Sequence, residues 1–135
     1  MKGWLPKHTF EMILKSMPIP CVDLVCVNNH RETLYGWRLI KPYKHVWAFP
    51  GGRILKGEAP LTAAKRHLAK YGIKFDMIKL NGVFNANFPS RSDISISFIV
   101  TGATRPKTFG KEFSRFVWKQ TPPRKLGGIY RRMIQ

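Results

Sequence analysis

Acidic side chains are scarce in this chain: seven Asp and Glu stand against 24 Lys and Arg in 135 residues, a formal charge of +17. The complete set is Glu11, Asp23, Glu32, Glu58, Asp76, Asp93 and Glu112. So short a list restricts metal chemistry, because hard divalent cations require several oxygen ligands. Cysteine is scarce as well, with Cys21 and Cys26 both inside the run "CVDLVCV". Five positions apart on a strand, they point to opposite faces and pair poorly, so buried free thiols in a cytoplasmic protein are the expectation. No apolar run reaches the roughly 18 residues of a membrane span. The opening "MKGWLPKHTFEMILKSMPIP" lacks the sustained apolar core and small-residue cleavage site of a signal peptide. Internal repeats, low-complexity segments and an interdomain linker are also missing.

What is present supports a folded globule. Apolar residues make up 44% of the chain and aromatics 13%, enough for one core in a single domain spanning residues 1–135. The excess of cations attracts nucleic acid, nucleotides or other anionic surfaces without identifying which.

Periodicity gives the coarse layout. Phe10, Ile13 and Leu14 fall at helical spacing in a short helix over 7–16, stopped by "MPIP". "CVDLVCVNN" reads as a buried strand, and "TLYGWRLI" as a second one whose Gly36 marks a bulge or a close backbone approach. "WAFPGG" reads as a short strand ending in a Pro-Gly-Gly turn. A long helix follows, with Glu58 at its mouth, Pro60 in the first turn, an apolar stripe of Leu61, Ala64 and Leu68, and Gly72 as its stop. Strands are expected at "MIKLNGVFNAN", "ISISFIVTGA" and "RFVWKQ", with "NFPSRSD" connecting the first two. The start of "ISISFIV" alternates as a strand with one solvated face does. The basic tail, residues 122–135, ends in a short helix from Ile129. Strands around one central helix give an α+β class with a mixed sheet.

The segment "AFPGGRILKGEAPLTAAKRHLAKYGI" carries a resemblance to the Nudix hydrolase family, whose pattern is G-x5-E-x7-R-E-U-x-E-E-x-G-U with U aliphatic. Gly52, Glu58 and Arg66 stand at the matching spacing. "PGGR" at 50–53, "GWRLIKP" at 36–42 and "MPIPCVDLV" resemble the GDP-mannose mannosyl hydrolase branch, and the likeness runs over about residues 5 to 122. The resemblance implies an α/β/α sandwich around one central helix, Mg²⁺ as cofactor, a nucleotide or nucleotide sugar as substrate, and a homodimer. By position it implies substrate contacts from Asp23, Arg38, Arg53 and Arg66. It also implies metal contacts from the Gly51 carbonyl and from Glu58, which is either a metal anchor or simply an acid that favours the helix dipole. Glu112 either replaces the lost helix Glu at the metal from across the cleft or is a strand-end surface acid. Guanidinium forks match diphosphate oxygens well.

The rest of the pattern is altered. The helix face that gathers a cation in the family carries Arg66, His67 and Lys70 here, with Tyr71 beside them, and the stretch to Gly72 is one residue short. The branch's late helix Glu falls on Lys70 or Tyr71, and its Gln-His pair falls on Glu112 and Phe113. Ala86 stands where another histidine is expected. A weak Mg²⁺ site and no evident general base follow. Two functions remain open: hydrolysis of a nucleotide sugar or nucleoside diphosphate derivative, or a non-catalytic module that binds RNA or DNA. In the second, the basic surface comprises Lys56, Lys65 and Lys70 on the helix side and Arg124, Lys125, Arg131 and Arg132 in the tail. His45, near Tyr43 and Trp47, is either plain loop surface or a ring that stacks on a base.

Overall fold

The computed structural model describes residues 5–134. Helix α1 (Lys7–Ser16) leads through Met17 and Pro18 into strand β1 (Ile19–Val27). Strands β2 (Thr33–Arg38), β3 (Trp47–Ala48) and β4 (Gly51–Arg53) precede helix α2 (Pro60–Tyr71). The hairpin β5 (Met77–Phe88) and β6 (Arg91–Thr101), strand β7 (Phe113–Lys119) and helix α3 (Gly128–Met133) complete the order.

The strands form one sheet in the order β3-β2-β1-β6-β5, with β4 paired to β1 and β7 to β2. Only β1 and β6 run parallel; the other pairs are antiparallel, which makes the sheet mixed as expected of the α+β class. Alternation along β1 sends Val22, Leu24 and Cys26 into the core and turns Cys21 and Asp23 to the other face. Cys26 is buried, whereas Cys21 is half-buried; both are free. Among the described residues no helix is long and apolar enough to cross a membrane.

Helix α2 begins and ends where its sequence directs. Pro60 occupies the first turn, and Gly72 adopts the left-handed conformation at φ 70° that terminates it. Its buried face differs from the expected stripe. Ala63, Ala64, His67, Leu68 and Tyr71 are buried, while Leu61 is 41% exposed. The stripe runs one turn further toward the C-terminus, where Tyr71 packs on Phe113 and Phe116.

Three other expectations are corrected. The Pro-Gly-Gly segment is a strand, since Gly51 pairs with Asp23 and Gly52 with Val22. "NFPSRSD" is mostly absorbed into a long hairpin that turns at Pro89 and Ser90. The alternation in "ISIS" runs opposite to a solvated face: Ser95 and Ser97 are buried, and Ile94 and Ile96 are partly exposed. Inward serines are satisfied by Asp23 and Asn81 respectively, so the polar face meets polar partners inside the protein. Gly36 behaves as expected: a Cβ there would lie 2.5 Å from the Phe113 ring, and the β2–β7 register shifts beside it.

At Gly51, strand β4 sits so close to β1 that a side chain is excluded. A Cβ on Gly51 would fall 2.1 Å from the Val22 carbonyl oxygen, which is backbone and has no room to yield. Gly51→Ala should therefore cost about 2 kcal/mol or more in urea unfolding. Gly57→Ala, where the same atom meets open space at φ +79°, should cost about 1 kcal/mol. Equal costs at the two positions would show that β4 is not held against β1 this tightly.

Candidate functional site

A cleft of about 910 Å³ opens on the face of β1 that carries Cys21 and Asp23. Asp93 and Ser95 of β6 extend its floor, and Tyr130 of α3 closes the back. Arg53 of β4 and Arg66, His67 and Lys70 of α2 make one wall; Lys41 and Lys111 sit on the rim. Asp23, Arg38, Gly51, Arg53, Arg66 and Glu112 therefore line one cavity. Glu58 is not part of the lining.

Asp23 is set by the strand register. Its neighbour across the parallel pair is offset so that the Ser95 hydroxyl donates to Asp23 Oδ2. Burial pushes the Asp23 carboxyl up to about 7, against the opposing pull of the Ser95 hydrogen bond and the Arg38 charge. A carboxyl that titrates near neutrality at the floor of a cleft can accept or release a proton there. Beside it, Arg91 holds Asp93 through two hydrogen bonds of 2.9 and 2.6 Å.

The two carboxylates expected at a metal are both occupied by protein cations. Arg66 Nε and Nη2 donate to Glu58 at 2.7 and 3.0 Å, a two-pronged pair, and the Leu55 amide donates to the same carboxylate at 3.0 Å. These bonds, Arg66 first, hold Glu58 down at about 2. Glu112 receives the Tyr71 hydroxyl at 3.1 Å and Lys70 Nζ at 3.3 Å, and its other oxygen lies 3.6 Å from Arg38. Burial, and then Glu112 itself, push the Tyr71 phenol well up, so it remains a donor. Arg38 also donates to the Ile40 and Lys41 carbonyls at 3.0 Å each, which fixes the loop after β2.

His67 stands directly over Gly52, whose missing Cβ would lie 2.4 Å from the ring. Its Nε2 is 3.0 Å from the Arg53 carbonyl, which can only accept, so this nitrogen carries the proton. Nδ1 is then a buried lone-pair acceptor with no protein partner. Burial lowers the His67 pKa and keeps the ring neutral. Arg53 lies over the Phe10 ring at 5.1 Å, which ties α1 to the mouth of the cleft.

This donor set does not fit a Mg²⁺ ion of the kind the helix face holds in the family. Glu58 and Glu112 are bonded to different cations, and the positions between them are His67, Lys70 and Tyr71. Among the described residues no group of three or more His, Cys, Asp and Glu could hold a metal. The cleft instead presents cations, several of them paired with Asp93 and Glu112, over the buried carboxyl of Asp23.

Ser95, Tyr130 and the Arg91–Asp93 pair were not foreseen as site residues. For the three β6 residues the signal is the alternation of "RSDISIS", which puts Arg91, Asp93, Ser95 and Ser97 on one face of the strand, a face that turns inward and not to solvent; nothing in the sequence points to Tyr130.

A mixed sheet with a strand–loop–helix, its helix Arg bonded back to the Glu at the helix mouth, is the arrangement on which the comparisons with known proteins bear. Residues 17–122 match the NUDIX domain, and the chain belongs to that family. Its fold is similar to a MutT NUDIX hydrolase from Burkholderia pseudomallei, with TM-score 0.79 and 17% identity over 88% of this chain and 97% of that one. It is also similar to a MutT protein from Methanosarcina mazei Go1, with TM-score 0.72 and 18% identity over 87% and 91% of the two chains. The NUDIX domain of Shewanella oneidensis NrtR, solved in complex with ADP ribose, aligns with TM-score 0.62 and 17% identity over 87% and 78%.

Two pH signatures follow. Asp23 has a folded pKa raised from 3.8 to about 7, so its contribution to stability is full below the lower value and is lost as pH rises through the upper one. Asp23→Asn should gain stability relative to wild type between about pH 4 and pH 8, read from paired urea titrations; a constant difference across that range would contradict the assignment. Glu58 behaves oppositely, since its pKa falls from 4.5 to about 2. Its pairing stabilises the fold above the higher value and is lost as pH falls through the lower one. Glu58→Gln should thus be less stable than wild type at neutral pH, by about 1 kcal/mol for a partly exposed pair. The gap should close near pH 2, and a gap that persists in acid would sink the assignment.

Proposed function

We propose that the chain binds a nucleoside diphosphate derivative in the cleft and holds the diphosphate with its own cations where the family uses a divalent metal. The observation that carries this reading is the occupation of Glu58 by Arg66 and of Glu112 by Lys70, Tyr71 and Arg38. Each acid that would draw a metal is bound to a cation already, and further cations, Lys41, Lys111 and Arg53, face the same cavity. Charge of this kind suits a diphosphate, which takes several charge-assisted hydrogen bonds at once.

The nucleotide-sugar form of the ligand, as in the GDP-mannose mannosyl hydrolase branch, is supported by "PGGR", "GWRLIKP" and "MPIPCVDLV" and by Asp23, Arg38, Arg53 and Arg66 lining one cavity. Asp23 and Tyr130 supply polar groups at depth for hydroxyls, and the rim lysines supply charge for phosphates. The NrtR domain's complex with ADP ribose shows a ligand of this general class on the same fold. Catalysis by the family's metal route is not part of this reading. The Asp23 carboxyl favours one second reading, a slow hydrolysis of the same ligand in which Asp23 takes a proton from the attacking water.

Equilibrium dialysis with GDP-sugars, UDP-sugars and ADP-ribose tests the proposal. At least one should bind, and Lys41→Ala with Lys111→Ala should weaken it by about tenfold through loss of two rim charges. Binding unchanged in that double variant, or no binding across the panel, would contradict it.

A further inference from the structure

The cleft leaves unused a second surface, on the other side of β2. We propose that His45, Trp37 and Trp47, bordered by Arg115, form a binding site for single-stranded nucleic acid. Register places Trp37 of β2 opposite Trp47 of β3, and their indoles meet edge to face at 5.2 Å. The His45 ring lies parallel to that of Trp37, 7° apart in plane with centroids at 6.4 Å. Arg115 of β7 places its guanidinium 5.2 Å from the Trp47 ring. His45 and Arg115 are exposed and both indoles are partly exposed, so the four side chains form one continuous row at the surface.

Backbone geometry keeps the row in place. His45 has φ +59°, a left-handed conformation that is uncommon outside glycine. Two hydrogen bonds hold it there, from the His45 amide to Arg38 at 2.8 Å and from the Arg38 amide to Val46 at 2.9 Å. Strain retained by surrounding bonds is a feature of binding surfaces. The segment 124–126 is bonded to Trp47 through the Trp47 amide and the Lys125 carbonyl at 2.8 Å, which brings Arg124 and Lys125 beside the row.

The charge around the row has one sign. Residues 33–57 and 113–135, which supply the row and its border, contain no Asp or Glu. The nearest acid in sequence, Glu112, is bound to Arg38, Lys70 and Tyr71. A second copy of the chain would bring like charge to this surface. A duplex keeps its bases stacked inside, so its phosphates would meet the cations while the rings found no partner. A single strand satisfies both, with bases on the aromatic faces and phosphates on Arg115, Arg124 and Lys125.

The test measures fluorescence anisotropy of labelled oligonucleotides of about 15 nucleotides, oligo(dT) and oligo(U) in parallel, against a matched duplex and heparin. Single strands should bind at least about tenfold tighter than duplex, and His45→Ala and Trp37→Phe/His45→Ala should each weaken them by about tenfold. Arg115→Ala should lower the salt slope by about one. The Lys41→Ala/Lys111→Ala variant should bind oligonucleotide as wild type does, so failure here and failure of the cleft reading are separable. Circular dichroism confirms that each variant is folded, and Trp37→Phe retains an aromatic ring in case larger changes disrupt β2. Equal affinity for single strand, duplex and heparin, unaltered by the variants, would reduce the effect to bulk charge and overturn the proposal. Anionic phospholipid vesicles that bind tightly, with the same loss in His45→Ala, and no oligonucleotide binding would assign the row to a membrane surface and overturn it equally.

Discussion

The carboxylate of Glu112 joins three parts of the structure. Tyr71 and Lys70 reach it from the end of α2, and Arg38 reaches it from β2, so one acid ties helix to sheet across the mouth of the cleft. Glu58 does the same at the other end of the helix, where it joins Arg66, the Leu55 amide and, through Arg66, the Arg53 carbonyl. In a chain with so few acids, these two hold a wall of cations in fixed geometry. Without them the like charges of Arg38, Arg53, Arg66 and Lys70 would repel across a narrow space.

From that constraint the chemistry of the cleft follows. A family built on carboxylates gathers a metal, and the metal gathers phosphate. Here the carboxylates gather protein cations that line the cleft. In the function we propose, those side chains stand in for the intermediate ion, and their prior ordering lowers the entropic cost of presenting charge to a ligand. His67 shows the same substitution at the level of one residue. It fills the space over Gly52 as a neutral donor to the Arg53 carbonyl, where an anionic side chain would have competed with Glu58 for Arg66.

Much of this architecture was legible in the sequence because local signals coincide with the fold. The short helix, the β1 run, Pro60 and Gly72 around α2, and the tail helix each rest on periodicity or on proline and glycine chemistry. The family resemblance brought distant residues to one cavity on paper before any geometry did. What could not be read were choices made by tertiary contact. Gly51 and Gly52 carry turn chemistry but serve as a strand, because a side chain at the first would meet β1 and one at the second would meet His67 of α2. Ser95 and Ser97 look solvent-facing until Asp23 and Asn81 are found opposite them. Leu61 fits a helical stripe, yet the helix is rolled so that Tyr71 packs against the rings of β7. The pairing of Glu58 and Glu112 with cations was hidden too, since no spacing rule reports which of several nearby lysines and arginines an acid will meet.

The central claim is that this cleft holds a diphosphate through its own cations and requires no divalent ion. It is tested most directly by calorimetric titration of the bound nucleotide derivative in chelator and again in millimolar Mg²⁺, with Mg²⁺ alone as the third arm. The account predicts the same dissociation constant in the first two and no heat of specific binding in the third. Affinity that depends on Mg²⁺ and disappears in Glu58→Gln would contradict it.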